Sequence, residues 1–131
     1  MKVAAGVLVQ NPIESSLFLG FKRKKSEGSG VSLPCGKSED GETPDQTARR
    51  ECLEETGWNV FFNILKPYVG INLDDGFQVW IFSADLDEDF GRALTKSDDE
   101  GEMVWATAEE LMAGPYGEFN RQVFTHFGVK L

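Results

Sequence analysis

Residues 36–58 read GKSEDGETPDQTARRECLEETGW, and in this segment Arg50 and four of the glutamates stand at fixed offsets; the four are Glu42, Glu51, Glu54 and Glu55. If its second half is helical, Glu51, Glu54 and Glu55 lie on one side of a single turn, because positions three and four apart are neighbours on a helix. Three such charges can coexist there only if divalent metal ions neutralise them. Hard carboxylate oxygens suit magnesium or manganese. The spacing therefore predicts a metal site that acts on a phosphorylated ligand.

The helix that must carry these carboxylates has clear start and stop signals. Thr43 and Gln46 have the spacing of a capping box, and Pro44 stands at the first helical position. Gly57 supplies the left-handed residue that commonly ends a helix. The sequence predicts a helix over residues 44–56.

Arg50 directly precedes Glu51 and stands four residues before Glu54, so its planar guanidinium can orient one of these carboxylates. The alternative interpretation of the glutamates is a solvated acidic helix face without a ligand. A helix shaped by stability alone would place lysines between such glutamates, and this sequence has none there. The pattern favours the metal site.

Length and charge limit the classes of function. The chain has 131 residues, 40% of them hydrophobic and 27% charged, which predicts a single domain over residues 1–131. The formal net charge of -9 argues against a nucleic-acid polymer as ligand, since polymer phosphates require a basic surface. A small phosphorylated molecule is compatible with this charge, with Arg23 and Lys37 as candidate contacts to its phosphate oxygens.

The sequence gives weaker signals for the cellular location and the oligomeric state of the protein. The first apolar run is far shorter than a membrane-spanning helix and is broken at Asn11-Pro12. Cys35 lies in a Pro-Cys-Gly loop and Cys52 in the predicted helix, which disfavours a structural disulfide. We expect a cytoplasmic protein without a membrane partner, either a monomer or a homodimer.

The other predicted elements are mostly strands. Strands are predicted over residues 2–10, 16–23, 58–65, 68–73, 77–84 and 102–107. The first two are joined by a turn, and residues 74–76 form a turn before the fifth. Helices are predicted over residues 108–113 and 118–127. This order indicates a mixed α/β fold in which the glutamate helix and a C-terminal helix cover a sheet.

The glutamate segment resembles the complete Nudix box. Its seven matching fixed positions are Gly36, Glu42, Arg50, Glu51, Glu54, Glu55 and Gly57. A Leu-Pro-x-Gly-Lys entry and a later Trp-x-x-x-Glu-Glu-Leu segment are also similar to MutT-type members of the Nudix hydrolase family. The resemblance implies an α/β/α sandwich with a mixed sheet between the signature helix and a C-terminal helix. It also implies hydrolysis of a nucleoside diphosphate linked to another group.

Residue roles follow from the same resemblance. It implies that Glu51 and Glu55 are the principal ligands of Mg²⁺ or Mn²⁺, with Glu54 as a further ligand. Glu51 is also a candidate general base, and Arg50 would orient the carboxylates. Three of the fixed residues are expected to have structural roles, namely Gly36, Glu42 and Gly57. Of these, Glu42 would close the loop.

Two further metal contacts are implied in loops. One is the backbone carbonyl of Cys35, where many relatives have glycine, and a positive φ there would strain a cysteine. The other is an acidic residue among Asp98, Asp99, Glu100 and Glu102, of which we favour Glu100 and then Glu102. A solvated loop is an equally good interpretation for any one of them.

The substrate is the least determined part of the prediction. Asn120 resembles in position the asparagine that binds the edge of a purine base in MutT-type enzymes. A hydrogen bond at the helix end explains an asparagine at this position equally well. The aromatic residues that could line a base pocket are Phe77, Trp80, Phe82, Phe119 and Phe124.

We expect a small-molecule nucleotide, first of all a nucleoside triphosphate cleaved to the monophosphate and pyrophosphate, with removal of oxidised nucleotides as one such role. The alternatives are hydrolysis of ADP-ribose, a nucleotide sugar or a dinucleoside polyphosphate. A non-hydrolysing nucleotide sensor is a further alternative, but it would have little need of the acidic ligands, all of which are present.

Overall fold

The computed structural model describes residues 2–23, 30–57, 62–72, 75–85, 101–114 and 116–131. The strands are β1 (Val3–Val9), β2 (Leu17–Arg23), β3 (Val31–Ser32), β4 (Cys35–Lys37), β5 (Phe62–Ile71), β6 (Gln78–Ala84) and β7 (Gly101–Thr107). The helices are α1 (Pro44–Thr56), α2 (Ala108–Ala113) and α3 (Gly117–His126). None of these described helices is long and apolar enough to cross a membrane.

The described strands form two sheets. The first contains β4, β1, β6 and β5 in that order; β1 and β6 are parallel, and the other pairs are antiparallel. The second contains β3, β2 and β7, all antiparallel. The first two predicted strands are present, but they belong to different sheets and are linked by an isolated bridge between Gln10 and Phe18.

Strand β1 is buried on both faces, which explains its nearly continuous apolar sequence. One face packs against α1 in a cluster that includes Ala5, Val7, Val9, Ala48 and Cys52. The other face packs toward α2 and α3 in a cluster that includes Ala4, Leu8, Leu111, Val123 and Phe124. The mixed sheet therefore lies between α1 and the C-terminal helices, which confirms the predicted α/β/α sandwich.

Helix α1 has the predicted bounds and both predicted caps. The hydroxyl of Thr43 accepts a hydrogen bond from the N–H of Gln46, whose side chain accepts one in return from the N–H of Thr43 at 3.0 Å. At the other end, Gly57 has a φ of 78° and donates its N–H to the carbonyl of Leu53 at 2.8 Å. Local signals thus fix the helical turn that carries the glutamates.

Strand β5 corrects the prediction of separate strands over residues 58–65 and 68–73. It is one strand, and its register with β6 shifts between Asn63 and Tyr68. Pro67 lies inside it and is tolerated because β5 is at the edge of the sheet, where a missing N–H costs no ladder bond. Residues 58–61, 73 and 74 lie outside the described residues.

The short strands β3 and β4 were not predicted from the sequence. They contain two and three residues, too few for an alternating pattern to be recognised. The last helix, α3, begins one residue before its predicted start and ends at His126. Of these differences, only β4 affects the functional interpretation.

Candidate active site

Strand β4 lies at the edge of the mixed sheet and has a different environment on each face. It pairs with β1 so that Gly36 is opposite Ala5 and Cys35 is opposite Gly6. Because successive residues of a strand point to opposite faces, Gly36 faces α1, as Ala5 does. Cys35 and Lys37 face the side on which α3 packs.

The carbonyl of Cys35 points outward from the sheet. The N–H of Val7 donates to the carbonyl of Pro34 at 3.0 Å. Hydrogen-bonded and non-hydrogen-bonded positions alternate along an antiparallel pair, so Cys35 and Lys37 occupy non-hydrogen-bonded positions. The Lys37 carbonyl accepts a hydrogen bond from Arg50 of α1 at 2.9 Å. The Cys35 carbonyl, two residues earlier, has the same outward direction, as a backbone metal ligand requires.

Gly36 lies directly against the carboxylate of Glu51. A Cβ atom built on Gly36 would overlap with the carboxylate carbon and both carboxylate oxygens of Glu51. Glycine is therefore needed at this position for close approach, not for an unusual backbone conformation. This contact joins the edge of β4 to the helix that carries the glutamates.

Arg50 holds Glu51 and the preceding loop in place. Its Nε and Nη2 donate to the two oxygens of Glu42 at 2.8 and 3.0 Å, and its Nη1 donates to Oε1 of Glu51 at 2.9 Å. The nearest oxygen of Glu54 is 3.4 Å from Nη1. Arg50 therefore orients Glu51 more closely than Glu54. It also neutralises part of the acidic cluster, so the premise that only metal ions could do so was wrong.

Glu42 ties the loop to the first turns of α1. Besides its bonds from Arg50, it accepts hydrogen bonds from the N–H of Glu39 at 2.8 Å and the hydroxyl of Thr47 at 3.0 Å. The hydrogen bond from Arg50, followed by that from the Glu39 backbone, lowers the pKa of Glu42 to about 2. The carboxylate is therefore ionised throughout the neutral range and fixes the guanidinium of Arg50.

Cys35 adopts an ordinary backbone conformation. Among the described residues only glycines have a positive φ, so the strain considered for a cysteine at this position is absent. Burial, then the charges of Glu55 and Glu51, raise the pKa of the Cys35 thiol to about 12. The thiol is protonated at neutral pH, and both carboxylates lie near this part of β4.

The donor atoms at this edge fit a divalent cation that keeps part of its water shell. Among the described residues no three Cys, His, Asp or Glu side chains converge closely enough to hold a metal ion by themselves. Glu51, Glu55 and the outward carbonyl of Cys35 nevertheless lie around the same edge. They are hard oxygen donors, and magnesium keeps several waters and takes further ligands from phosphates. Glu54 is 58% exposed beside them.

Other predicted site residues lie elsewhere or outside the described part of the chain. Glu102 is exposed in β7, in register with Lys22 on the three-stranded sheet. Glu100 belongs to the segment 86–100, which lies outside the described residues, as does the side chain of Arg23. Their roles stay predictions.

A cavity of about 270 Å³ lies on the face of β4 opposite the glutamates. Its aliphatic wall is formed by Ala4, Leu33, Val79 and Ile81. Its polar side chains include Ser32, Lys37, Asn72, Asp75 and Asn120. An apolar cavity with a few polar groups is the usual form of a small-molecule site. The strand that borders the carboxylate edge therefore also borders a binding cavity.

Asn120 is buried, and its amide has two different environments. Its Nδ2 donates to the carbonyl of Leu111 at 2.9 Å, which connects α3 to α2. Its Oδ1 accepts no hydrogen bond from the described residues, and the side chain lines the cavity. The structural interpretation of Asn120 therefore holds for the amide nitrogen, while the oxygen is available to a ligand.

The aromatic candidates divide between cavity and core. Phe77 and Phe119 line the cavity. Phe82 and Phe124 are buried in the core, and Trp80 stacks on Phe82 with 6.3 Å between ring centroids. Only two of the five candidates can therefore contact a ligand in this cavity.

Sequence reasoning missed Tyr116 and Asp75, which also line the cavity. Tyr116 is 38% exposed and precedes α3, so its spacing of four residues before Asn120 was the available signal. Asp75 lies in the turn that the sequence predicts over residues 74–76. At the same end of the cavity, the ammonium groups of Lys37 and Lys2 lie 5.4 and 5.6 Å from the ring centroid of Phe77.

Comparisons with known proteins agree with this fold. A family model described as the NUDIX domain matches residues 1–127, so the chain belongs to the NUDIX family. It is a Nudix hydrolase, an enzyme that acts on phosphoanhydride bonds. No curated protein matches the chain significantly.

Solved structures share the fold at low sequence identity. An Ap4A hydrolase from C. elegans, solved as a binary complex, is 19% identical, with 98% of this chain and 96% of that chain covered and a TM-score of 0.76. A NUDIX hydrolase from Nitrosomonas europaea is 20% identical, with 97% and 88% covered and a TM-score of 0.68. The mutator MutT protein from Bacillus halodurans is 20% identical, with 94% and 80% covered and a TM-score of 0.65. Likeness at these identities shows the fold alone.

Proposed function

We propose that the protein is a divalent-metal-dependent pyrophosphohydrolase that cleaves a nucleoside triphosphate to the monophosphate and pyrophosphate. The observation that carries this proposal is the position of β4, which has Glu51 against one face and the cavity on the other. A base bound in the cavity leaves its phosphates free to reach around this sheet edge toward the carboxylates. The base and the phosphates of a nucleotide would thus each have a matching environment, one on each side of strand β4.

Glu51, Glu55 and the carbonyl of Cys35 would hold Mg²⁺ or Mn²⁺, with Glu54 as an exposed further ligand. When bound, such a cation withdraws charge from the phosphate oxygens and makes a water molecule more acidic. The ligand set is incomplete without water and phosphate, which favours binding of the cation together with the substrate.

Arg50 and Gly36 fix the orientation of Glu51 for proton transfer. Arg50 binds Oε1 of Glu51 at 2.9 Å, which leaves Oε2 to accept a proton from the attacking water. In-line attack at phosphorus requires this kind of positioning more than it requires covalent chemistry by the protein. Lys37, whose ammonium lies over Phe77 beside the cavity, would contact the phosphate oxygens.

The test is a substrate panel with magnesium and product separation by ion-exchange chromatography. The panel contains canonical and oxidised nucleoside triphosphates, ADP-ribose, a nucleotide sugar and a dinucleoside polyphosphate. We expect the triphosphates to give monophosphate and pyrophosphate, and EDTA or Glu55→Gln to abolish the reaction. If only another compound of the panel is turned over, that compound replaces the nucleoside triphosphate as the proposed substrate. No turnover of any member would overturn the proposal.

A further inference from the structure

Asp75 is the only carboxylate among the described residues that line the cavity. It lies in the connection between β5 and β6, where hydrogen bonds from two described residues fix its orientation. Its Oδ1 accepts a hydrogen bond from the N–H of Phe77 at 2.9 Å, and its Oδ2 accepts one from Nδ2 of Asn72 at 3.3 Å. Each carboxylate oxygen can accept two hydrogen bonds, so Asp75 keeps capacity for a ligand.

A second fixed acceptor lines the same cavity. The Nδ2 of Asn120 is engaged by the carbonyl of Leu111, whereas its Oδ1 accepts no hydrogen bond from the described residues. The hydroxyl of Ser32 can donate or accept, and Lys37 is the cationic donor. Two oriented side chains of the cavity therefore select for donors on the ligand.

The shape of the cavity suits a base more than a whole nucleotide. Its volume of about 270 Å³ lies just below the roughly 300–1,000 Å³ typical of pockets that enclose complete small ligands. The aromatic rings of Tyr116 and Phe119 line it, and flat heterocycles pack well on such rings. Phe77 already carries two lysine ammonium groups over its ring.

We propose that Asp75 determines specificity by accepting a hydrogen bond from the amino group of the bound base, so that the cavity prefers amino-bearing bases to their oxo counterparts. An oxo group would direct its lone pairs at the carboxylate, which leaves an acceptor facing an acceptor. This inference rests on the proposed function, because it takes the cavity as the base site of a nucleotide.

Asp75→Asn is the variant that tests this role with the least structural change. Its Oδ1 can still accept the N–H of Phe77, but the negative charge, one acceptor and the hydrogen bond from Asn72 are lost. Asp85→Asn is the matched control, because Asp85 is exposed and lies beyond the far end of the seven-residue strand β6. Thermal unfolding of both variants checks that the fold is intact.

Binding is measured first without metal, by calorimetry with nucleoside monophosphates in EDTA. The pairs are AMP against IMP and CMP against UMP, in each of which an amino group is replaced by an oxo group. We expect the wild type and Asp85→Asn to bind the amino-bearing member of at least one pair about tenfold more tightly, as hydrogen bonds to a charged group suggest. Asp75→Asn should lose or reverse this preference, because its Nδ2 cannot accept a hydrogen bond from an amino group but can donate one to an oxo group.

The inference is overturned if Asp75→Asn keeps the preference, if it weakens both members of every pair equally, or if no monophosphate binds. The same pairs are then compared as triphosphates with magnesium, where kcat/KM should show the same preference. An Asp75-dependent preference in binding without any triphosphate hydrolysis would leave the inference standing and reject the proposed function. Triphosphate hydrolysis without a preference for amino-bearing bases would support the proposed function and reject the inference about Asp75.

Discussion

The two faces of strand β4 are built from different parts of the chain. On the α1 face, Arg50 and Glu51 contact residues that lie within about fifteen positions of them in sequence. On the other face, the cavity joins residues as far apart as Ala4 and Asn120. The first face contains charged groups held by a guanidinium, and the second contains apolar walls with a few oriented polar groups. Under the proposed function, this division assigns the chemistry to a local motif and recognition to the tertiary fold.

Such a division predicts different kinetic signatures for the two faces. Substitutions on the α1 face should lower kcat for every nucleotide by a similar factor. Substitutions on the cavity face should change KM and the ranking of substrates. The following predictions test whether the two faces separate in this way.

The largest effect is expected for Glu51→Gln. Loss of the proposed general base and metal ligand should reduce kcat by about 100-fold or more with every nucleotide that is turned over. Stability should not fall, because Gln can still accept the hydrogen bond from Arg50 and one repelling charge is removed. Steady-state kinetics and urea unfolding measure the two effects. Glu14→Gln, in the exposed turn after β1, should keep full activity.

A smaller but more discriminating effect is expected from neighbouring substitutions on β4. Gly36→Ala should lower kcat about 10- to 100-fold, because its methyl group displaces the carboxylate of Glu51. Cys35→Ala should keep kcat, because the backbone carbonyl remains and the lost thiol is protonated. Any change should appear in KM. Equal losses of kcat in both variants would contradict the separation of the two faces.

Asn120→Ala tests the cavity face. It leaves the buried carbonyl of Leu111 without its donor, which should lower the free energy of unfolding by about 1–3 kcal/mol. Loss of Oδ1 from the cavity should also raise KM while kcat stays unchanged. Urea unfolding and steady-state kinetics on the same preparation separate these effects. A change in stability alone would make Asn120 a purely structural residue.

The two faces of β4 also differ in how well the sequence predicts them, because one is built from local contacts and the other from distant ones. The bounds of α1 are encoded by Thr43, Gln46 and Gly57 within the helix ends themselves, and the structure reproduces them. The short strand β4 has no alternation to recognise, because pairing with β1 creates it. The position of the glutamates was therefore predictable, whereas the edge they lie against was not.

The cavity was predictable only in fragments. Asn120 and Phe119 were found by position, but Tyr116 and Asp75 were not, because nothing local marks a turn residue as part of a distant cavity. Which aromatic residues face a ligand is decided by sheet register and helix packing, and these depend on contacts across the whole chain.

The smallest effect concerns the loop that supports Arg50, and it depends on pH. The pKa of Glu42 is about 2 in the folded protein, against an ordinary value of 4.5. A lowered carboxyl pKa contributes stability that is fully present above the unfolded value and is lost as the pH falls toward the folded value. Wild type should therefore exceed Glu42→Gln in stability above about pH 5, and this difference should shrink between about pH 4.5 and pH 2.

Urea unfolding of both proteins at pH 7, 4 and 3 measures this difference. Glu39→Gln is the matched control, because its side chain is 67% exposed and 3.8 Å from Arg50. An exposed pair at this distance contributes little, so the control should stay parallel to wild type over the same range. If Glu39→Gln reproduced the effect, the acid sensitivity would come from the general charge of the loop. If only Glu42→Gln shows the acid sensitivity, its source is the ion pair between Glu42 and Arg50. The orientation of Glu51 depends on the same ion pair, because Arg50 also binds Glu51.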